Sequence, residues 1–209
     1  MNRTAETWAD YAEALAFVGN SLLAPMSQTG SVGLDPAFWR SFPDFGDEGV
    51  RAAIRACSQY AAEASEADDP QGSVRETSVE YTHLFVGPPH PATPPWETMY
   101  RAGSEGSTVG FGKPAFEMRA ALRALGLEIS NANNQYPDHA GIELLYASVL
   151  CGKCADADSQ GGHEAELASF AHDRLLEWLP KLAAAVRAEE PEGYYSRLVE
   201  LAVALVRSL

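Results

Sequence analysis

Five prolines within eight residues, Pro88, Pro89, Pro91, Pro94 and Pro95, constrain this chain more than any other feature. Proline fixes φ, removes a backbone donor and turns the residue before it away from helix, so the stretch is a stiff, non-helical crossing. A helical pattern runs into it through Glu80-Tyr81-Thr82-His83-Leu84-Phe85-Val86 and stops at Gly87-Pro88. Beyond the prolines lies Trp96-Glu97-Thr98-Met99-Tyr100, and a second such loop, Tyr136-Pro137-Asp138-His139, opens another helix. Two semi-rigid loops rich in rings read as a recognition surface rather than a catalytic centre. The same rings, Tyr81, Leu84, Phe85, Trp96 and Tyr100, also read as core at helix ends.

On both sides of the crossing the apolar period is helical. Trp8, Tyr11, Leu15, Val18 and Leu22 make a first amphipathic helix ending near Pro25. Asp35-Pro36 is an N-cap and first helical residue for a short Phe38-Trp39 turn. Asp47 caps a helix carrying Val50, Ile54, Cys57 and Ala61, which stops before Asp68-Asp69-Pro70. Ser73-Val74-Arg75-Glu76 has the form of a capping box, opening a helix with Val74, Ser78, Tyr81 and Phe85 on one face. Residues 86–112 lack a period. Pro114 then starts a helix with Phe116, Ala120 and Leu127 near its end at Gly126. Asp138 opens another, through Ile142, Leu145 and Val149 to about Cys154. After a loop at Gly161-Gly162, Leu167, Phe170, Ala171, Arg174, Leu175 and Trp178 repeat the pattern, with a kink or restart at Pro180. Pro191 starts the last helix, bearing Tyr194, Leu198, Leu201, Leu205 and Leu209. With no β alternation and no internal repeat, the expectation is an all-α fold of about eight or more helices, one domain over 1–209 whose halves meet near 86–112.

Acidic residues outnumber basic ones, 29 to 15, for a net charge of −14, which disfavours nucleic acid and anionic membrane surfaces as partners. A cationic peptide is the natural complement, although the same charge also serves solubility alone. The three cysteines, Cys57, Cys151 and Cys154, have no framework spacing and fit a reducing compartment. The first residues lack a basic-then-apolar leader, and no apolar run reaches the ~18 residues of a membrane span, so a cytoplasmic location is expected.

Catalytic signatures are weak. Cys151-Gly152-Lys153-Cys154 has neither a second pair for zinc nor a preceding strand for a redox motif, and reads as buried structural cysteine. His139 and Glu143 stand at i, i+4 and could share a metal, with Asp138 tuning the imidazole. That gives an alternative function, a small metal- or nucleotide-dependent helical enzyme. No phosphate-loop or dinucleotide fingerprint supports it. The glycines Gly103, Gly106, Gly110 and Gly112 read as flexibility. Asp138 is open to two readings, a helix cap or a carboxylate for a ligand cation.

Three segments together resemble a known family. Tyr81-x-x-Leu84-Phe85-Val86-Gly87-Pro88, the run from Pro94 to Tyr100, and Tyr136-Pro137-Asp138-His139-x-x-x-Glu143-Leu144 are similar to the TorD/DmsD family of cytoplasmic redox-enzyme maturation chaperones. Phe170-x-x-x-x-Leu175-x-x-Trp178-x-Pro180 resembles its C-terminal helix pattern. The resemblance implies an all-helical, non-enzymatic protein without a cofactor of its own, monomeric or a domain-swapped dimer. It would bind the twin-arginine signal peptide and precursor of a molybdopterin-dependent oxidoreductase subunit until cofactor insertion, before export. It assigns peptide binding to Tyr81, Leu84, Phe85, Gly87, Pro88, Pro137, Asp138 and His139, beside which Trp96, Glu97, Tyr136 and Glu143 complete the candidate site. Leu84 and Phe85 would form an apolar floor, and Asp138, Glu97 or Glu143 would meet guanidinium. The chain departs from the family pattern at His83, where arginine is common, and at Ala147-Ser148, where bulkier residues are usual.

Overall fold

A computed structural model describes residues 3–66, 69–101, 108–129, 135–156 and 162–209. Asp68, Gly103, Gly106 and Gly161, which figured in the reading of the loops, lie outside the described residues. The architecture is all-α. In chain order it comprises α1 (Ala5–Ser21), α2 (Met26–Thr29), α3 (Pro36–Ser41), α4 (Glu48–Ser65), α5 (Pro70–Phe85), α6 (Lys113–Ala124), α7 (Ala140–Ala155), α8 (Gly162–Ser169), α9 (Leu176–Glu189) and α10 (Tyr194–Ser208). Short 3-10 turns cover Val32–Leu34 and Glu97–Met99, and a π-helical turn, Phe170–Leu175, links α8 to α9. Among the described residues the only β pairing is a single antiparallel bridge between Trp96 and His139. No described helix is long and apolar enough to cross a membrane.

Several starts follow from side chains that accept otherwise unpaired N–H groups. Thr4 accepts from Thr7 N at 3.1 Å, Asp35 from Ala37 N at 2.7 Å, and Asp47 from Val50 N at 2.9 Å. The expected capping box at Ser73 does not form. Helix α5 begins earlier, at Pro70, so Ser73 lies inside it, where Ser73 N bonds Asp69 O and Ser73 Oγ donates to Ala64 O. Helix α10 begins later than Pro191, at Tyr194, because the Glu80 carboxylate of α5 accepts from Tyr194 N at 3.0 Å and Tyr195 N at 2.8 Å. Burial pushes that carboxyl up to about 7 even against those two donors.

One buried cluster runs from Trp8 to Val206. Helix α1 lies along α7, and α10 packs on α4, α9, α1 and α5, so N-terminal and C-terminal helices interleave. The α1–α7 crossing is close because it is built on glycine: a Cβ on Gly141 would stand 2.5 Å from Gly19 O. Ala147 is fully buried and Ser148 Oγ donates to Ala12 O at 2.7 Å, so the two small residues that depart from the family pattern sit in α7, with Ser148 fastening it to α1. In α6 the inward face is Ala115, Met118 and Leu122, whereas Phe116 and Ala120 are exposed. Pro180 neither breaks nor restarts a helix, since α9 continues through it. Its ring opposes the carbonyl four residues back, Leu176, which is where the widened π-turn ends.

Candidate functional site: two joined loops over a buried ion cluster

The proline crossing first folds back on the helix it leaves. Gly87 has φ +96°, and a Cβ there would stand 2.7 Å from His90 carbonyl carbon, so this turn requires glycine. Ala92 N then bonds His83 O at 3.1 Å, and Thr93 N and Oγ1 bond Leu84 O at 2.8 and 3.1 Å. These donors satisfy carbonyls that the end of α5 would otherwise leave unpaired. Next the crossing fastens to the second loop: Ala140 N donates to Pro95 O at 2.8 Å and Glu97 N to Asp138 O at 2.9 Å, with the Trp96–His139 bridge between them.

That pairing decides what Asp138 and His139 do. It holds His139 extended, so α7 starts one residue after it, and the cap is His139, whose Nδ1 accepts from Gly141 N at 3.0 Å. Asp138 is therefore not the cap of α7. Its Oδ2 accepts instead from Thr98 N at 3.1 Å and from Thr98 Oγ1, holding the 3-10 turn at Glu97–Met99. Both residues are fully buried, and burial pushes the His139 imidazole down to about 3. A neutral ring accepting at Nδ1 carries its proton on Nε2.

Beneath the joined loops lies an ion cluster that pattern reading missed. Arg174, in the π-turn, donates through Nε and Nη2 to Glu143 Oε1 at 3.2 and 3.0 Å, through Nη2 to Pro114 O at 2.9 Å, and to Glu97 Oε2. Trp178 Nε1 takes the other Glu143 oxygen at 3.0 Å. Arg101 bonds Glu97 Oε1 at 3.0 Å and Glu117 Oε2 at 2.8 Å. Glu97 and Glu143 are both fully buried, and the guanidinium groups they meet are the chain's own. Burial pushes both carboxyls up, Glu143 well above the ordinary range, while Arg174 pulls them back. A sequence signal for this cluster existed: Arg174 interrupts the apolar stripe Leu167, Ala171, Leu175 and Trp178, and a charge inside such a stripe needs a buried partner.

The remaining candidates divide between core and surface. Tyr81, Leu84 and Phe85 are buried; Tyr81 Oη donates to Leu22 O at 3.2 Å, and its ring lies 5.4 Å from both Phe85 and Tyr195. Pro137 is buried, Gly87 and Trp96 are half-buried, and Pro88 and Tyr136 are exposed. Glu80 and His83 have the E-x-x-H spacing of di-iron helices, yet Glu80 caps α10 and His83 Nε2 faces Glu189 at 3.9 Å. Among the described residues no three His, Cys, Asp or Glu side chains gather as a metal site. Burial pushes the Cys151 and Cys154 thiols up to about 12 and 11, away from thiolate chemistry. A groove of about 420 Å³ runs between α1, α6 and α7, with Leu23, Leu122, Leu127, Ile129, Ile142 and Leu145 in its lining.

Residues 45–184 match the family described as nitrate reductase delta subunit. The chain is 28% identical over 146 residues to the chaperone protein TorD of Vibrio cholerae serotype O1, covering 66% of this chain and 63% of that one. It is 26% identical over 132 residues to TorD of Photobacterium profundum, covering 62% and 60%. A shorter match to TorD of Aeromonas salmonicida reaches 32% over 87 residues, covering 40% of this chain and 41% of that one. The chain thus spans less than two thirds of the length of these relatives. An all-helical chain whose paired loops fall within the matched stretch belongs to the nitrate reductase delta subunit family, in its TorD/DmsD chaperone branch.

Proposed function

We propose that this protein is a chaperone of redox-enzyme maturation, not an enzyme, that binds the twin-arginine signal peptide of a molybdopterin-dependent oxidoreductase subunit in the cytoplasm and holds the precursor during cofactor insertion. The relatives named as TorD chaperones support the general role. One observation carries the peptide reading: Asp138 Oδ1 is buried without a partner, whereas the neighbouring Glu97 and Glu143 carboxylates are taken by Arg174 and Arg101. Asp138 is then the acceptor for a peptide arginine. The groove along α7, which starts beside the same loop, accepts the apolar segment that follows in such a peptide. The alternative metal-dependent chemistry draws less support, because His139 Nδ1 caps α7 and Glu143 serves Arg174 and Trp178.

Calorimetry with a twin-arginine peptide against its twin-lysine and scrambled forms tests this reading. The expected result is preference for the twin-arginine form, weakening with salt, and its loss in Asp138→Asn at nearly unchanged Tm, since the amide oxygen still accepts from Thr98 N. Equal affinity for all three peptides sinks the proposal.

A further inference from the structure

Three buried polar atoms without partners sit together in the paired loops: Trp96 Nε1, Asp138 Oδ1 and His139 Nε2. Among the described residues the fourth such atom, Trp8 Nε1, is elsewhere, on α1 under the Arg3 guanidinium. Buried polar groups are nearly always paired, so three orphans on two bonded loops require a cause. Trp96 and His139 face each other across the antiparallel bridge with rings edge-on at 6.0 Å, and Asp138 is the next residue. Two of the atoms are N–H donors, since His139 accepts at Nδ1.

Beside the Trp96 ring stand two further aromatic rings. The Tyr136 ring lies 6.4 Å from the Trp96 ring on one side and 6.4 Å from Phe111 on the other. Both outer rings are turned to solvent, Tyr136 40% and Phe111 68% exposed. Tyr136 rests on the bare backbone of Gly110, where a Cβ would stand 2.2 Å from the ring. Gly110 has φ +79°, so a side chain is disfavoured there for conformational reasons as well. An exposed ring thus stands edge-on beside the Trp96 indole, whose N–H is unpaired.

We propose that Tyr136 is a displaceable cover, and that once its ring leaves Gly110 the Trp96 and His139 N–H groups donate to a main-chain carbonyl of the client peptide. This rests on the peptide-binding reading above, in which Asp138 Oδ1 takes an arginine donor. A carbonyl oxygen has two lone pairs and accepts both N–H groups. The ligand class is therefore a peptide that offers a cationic donor and a free carbonyl to adjoining residues of the bridge. The alternative occupant is a buried water that serves the free protein alone.

The four tryptophans give four indole N–H signals in proton–nitrogen correlation spectra, and Trp96→Phe identifies the one from Trp96. On titration with the twin-arginine peptide, that signal should move downfield and exchange more slowly with solvent. Trp96→Phe should bind the peptide about three- to tenfold more weakly, the effect of one neutral hydrogen bond, with Tm unchanged or raised. Tyr136→Leu should speed association, because the cover is smaller. An unmoved indole signal with a peptide that still binds overturns this inference and leaves the peptide-binding reading intact. A lowered Tm in Trp96→Phe at unchanged affinity assigns the N–H to a buried water only and also overturns it. Unchanged association in Tyr136→Leu overturns the role of the cover. A parent protein that binds no peptide sinks both proposals together.

Discussion

Arg174 meets two fully buried carboxylates with one guanidinium, and the arrangement is asymmetric in what its loss would do. Removing a buried partner leaves charge without compensation, which costs about 3–5 kcal/mol. Arg174→Leu is expected to destabilise by that amount at neutral pH, read by urea unfolding, and by less near pH 5. The sign follows from the raised carboxyls: Glu97 and Glu143 bind protons more readily folded than unfolded, so stability is present below the ordinary carboxyl value and is lost as pH rises through the folded one. A pH-independent loss would show that the carboxylates are not what Arg174 serves. At this scale the motif sequence was legible as a set but not in its roles. Asp138 reads as a helix cap because acidic residues before a helix usually are; it became a loop anchor because the backbone pairing with Glu97 moved the helix start past it. Glu97 and Glu143 read as carboxylates for a ligand guanidinium because Arg174, the partner they share, lies far along the chain; its place inside an apolar stripe signals a buried carboxylate without saying which.

Helix α7 carries the second loop, and its position rests on contact with α1. Gly141→Ala would place a methyl 2.5 Å from Gly19 O, a backbone atom that cannot move without moving α1, and 2.8 Å from Leu23 Cγ. The gain in helix propensity of about 1 kcal/mol is outweighed by overpacking, for an expected net loss of about 1–3 kcal/mol. Gly152→Ala on the same helix meets nothing within 4 Å and should stabilise by about 0.5–1 kcal/mol. Thermal melts of the two variants check the pair, and a shift of the same sign in both would refute the crossing as the cause. Element positions were readable wherever an apolar period was long, as in α1 and α4, whose expected stripes are buried. In α6 the largest apolar residue of the first turn, Phe116, stays exposed, and the smaller Ala115 and Met118 are buried. The start of α10 was misread because its cap, Glu80, comes from another helix.

At the scale of the whole molecule, the all-α class followed from periodicity alone, but the order of packing did not. The sequence invites a division near 86–112, whereas the helices before and after it interleave: α1 with α7, and α4 and α5 with α10. Loop pairing and helix crossing both join residues far apart in sequence, and local pattern carries no information about such partners. A chain ending at Gly126 should therefore lack a cooperative unfolding transition and bind a hydrophobic dye, because α1 and α4 lose their main partners. A cooperative melt with native near-ultraviolet dichroism would show that the first half folds alone. Interleaving also has a consequence in time. At ~5–20 residues per second of synthesis, α1 leaves the ribosome on the order of ten seconds before α7 does. For that interval the stripe from Trp8 to Leu22 lacks its main covering helix, so a protein proposed to shield the apolar segment of another polypeptide begins its own life in need of the same shelter.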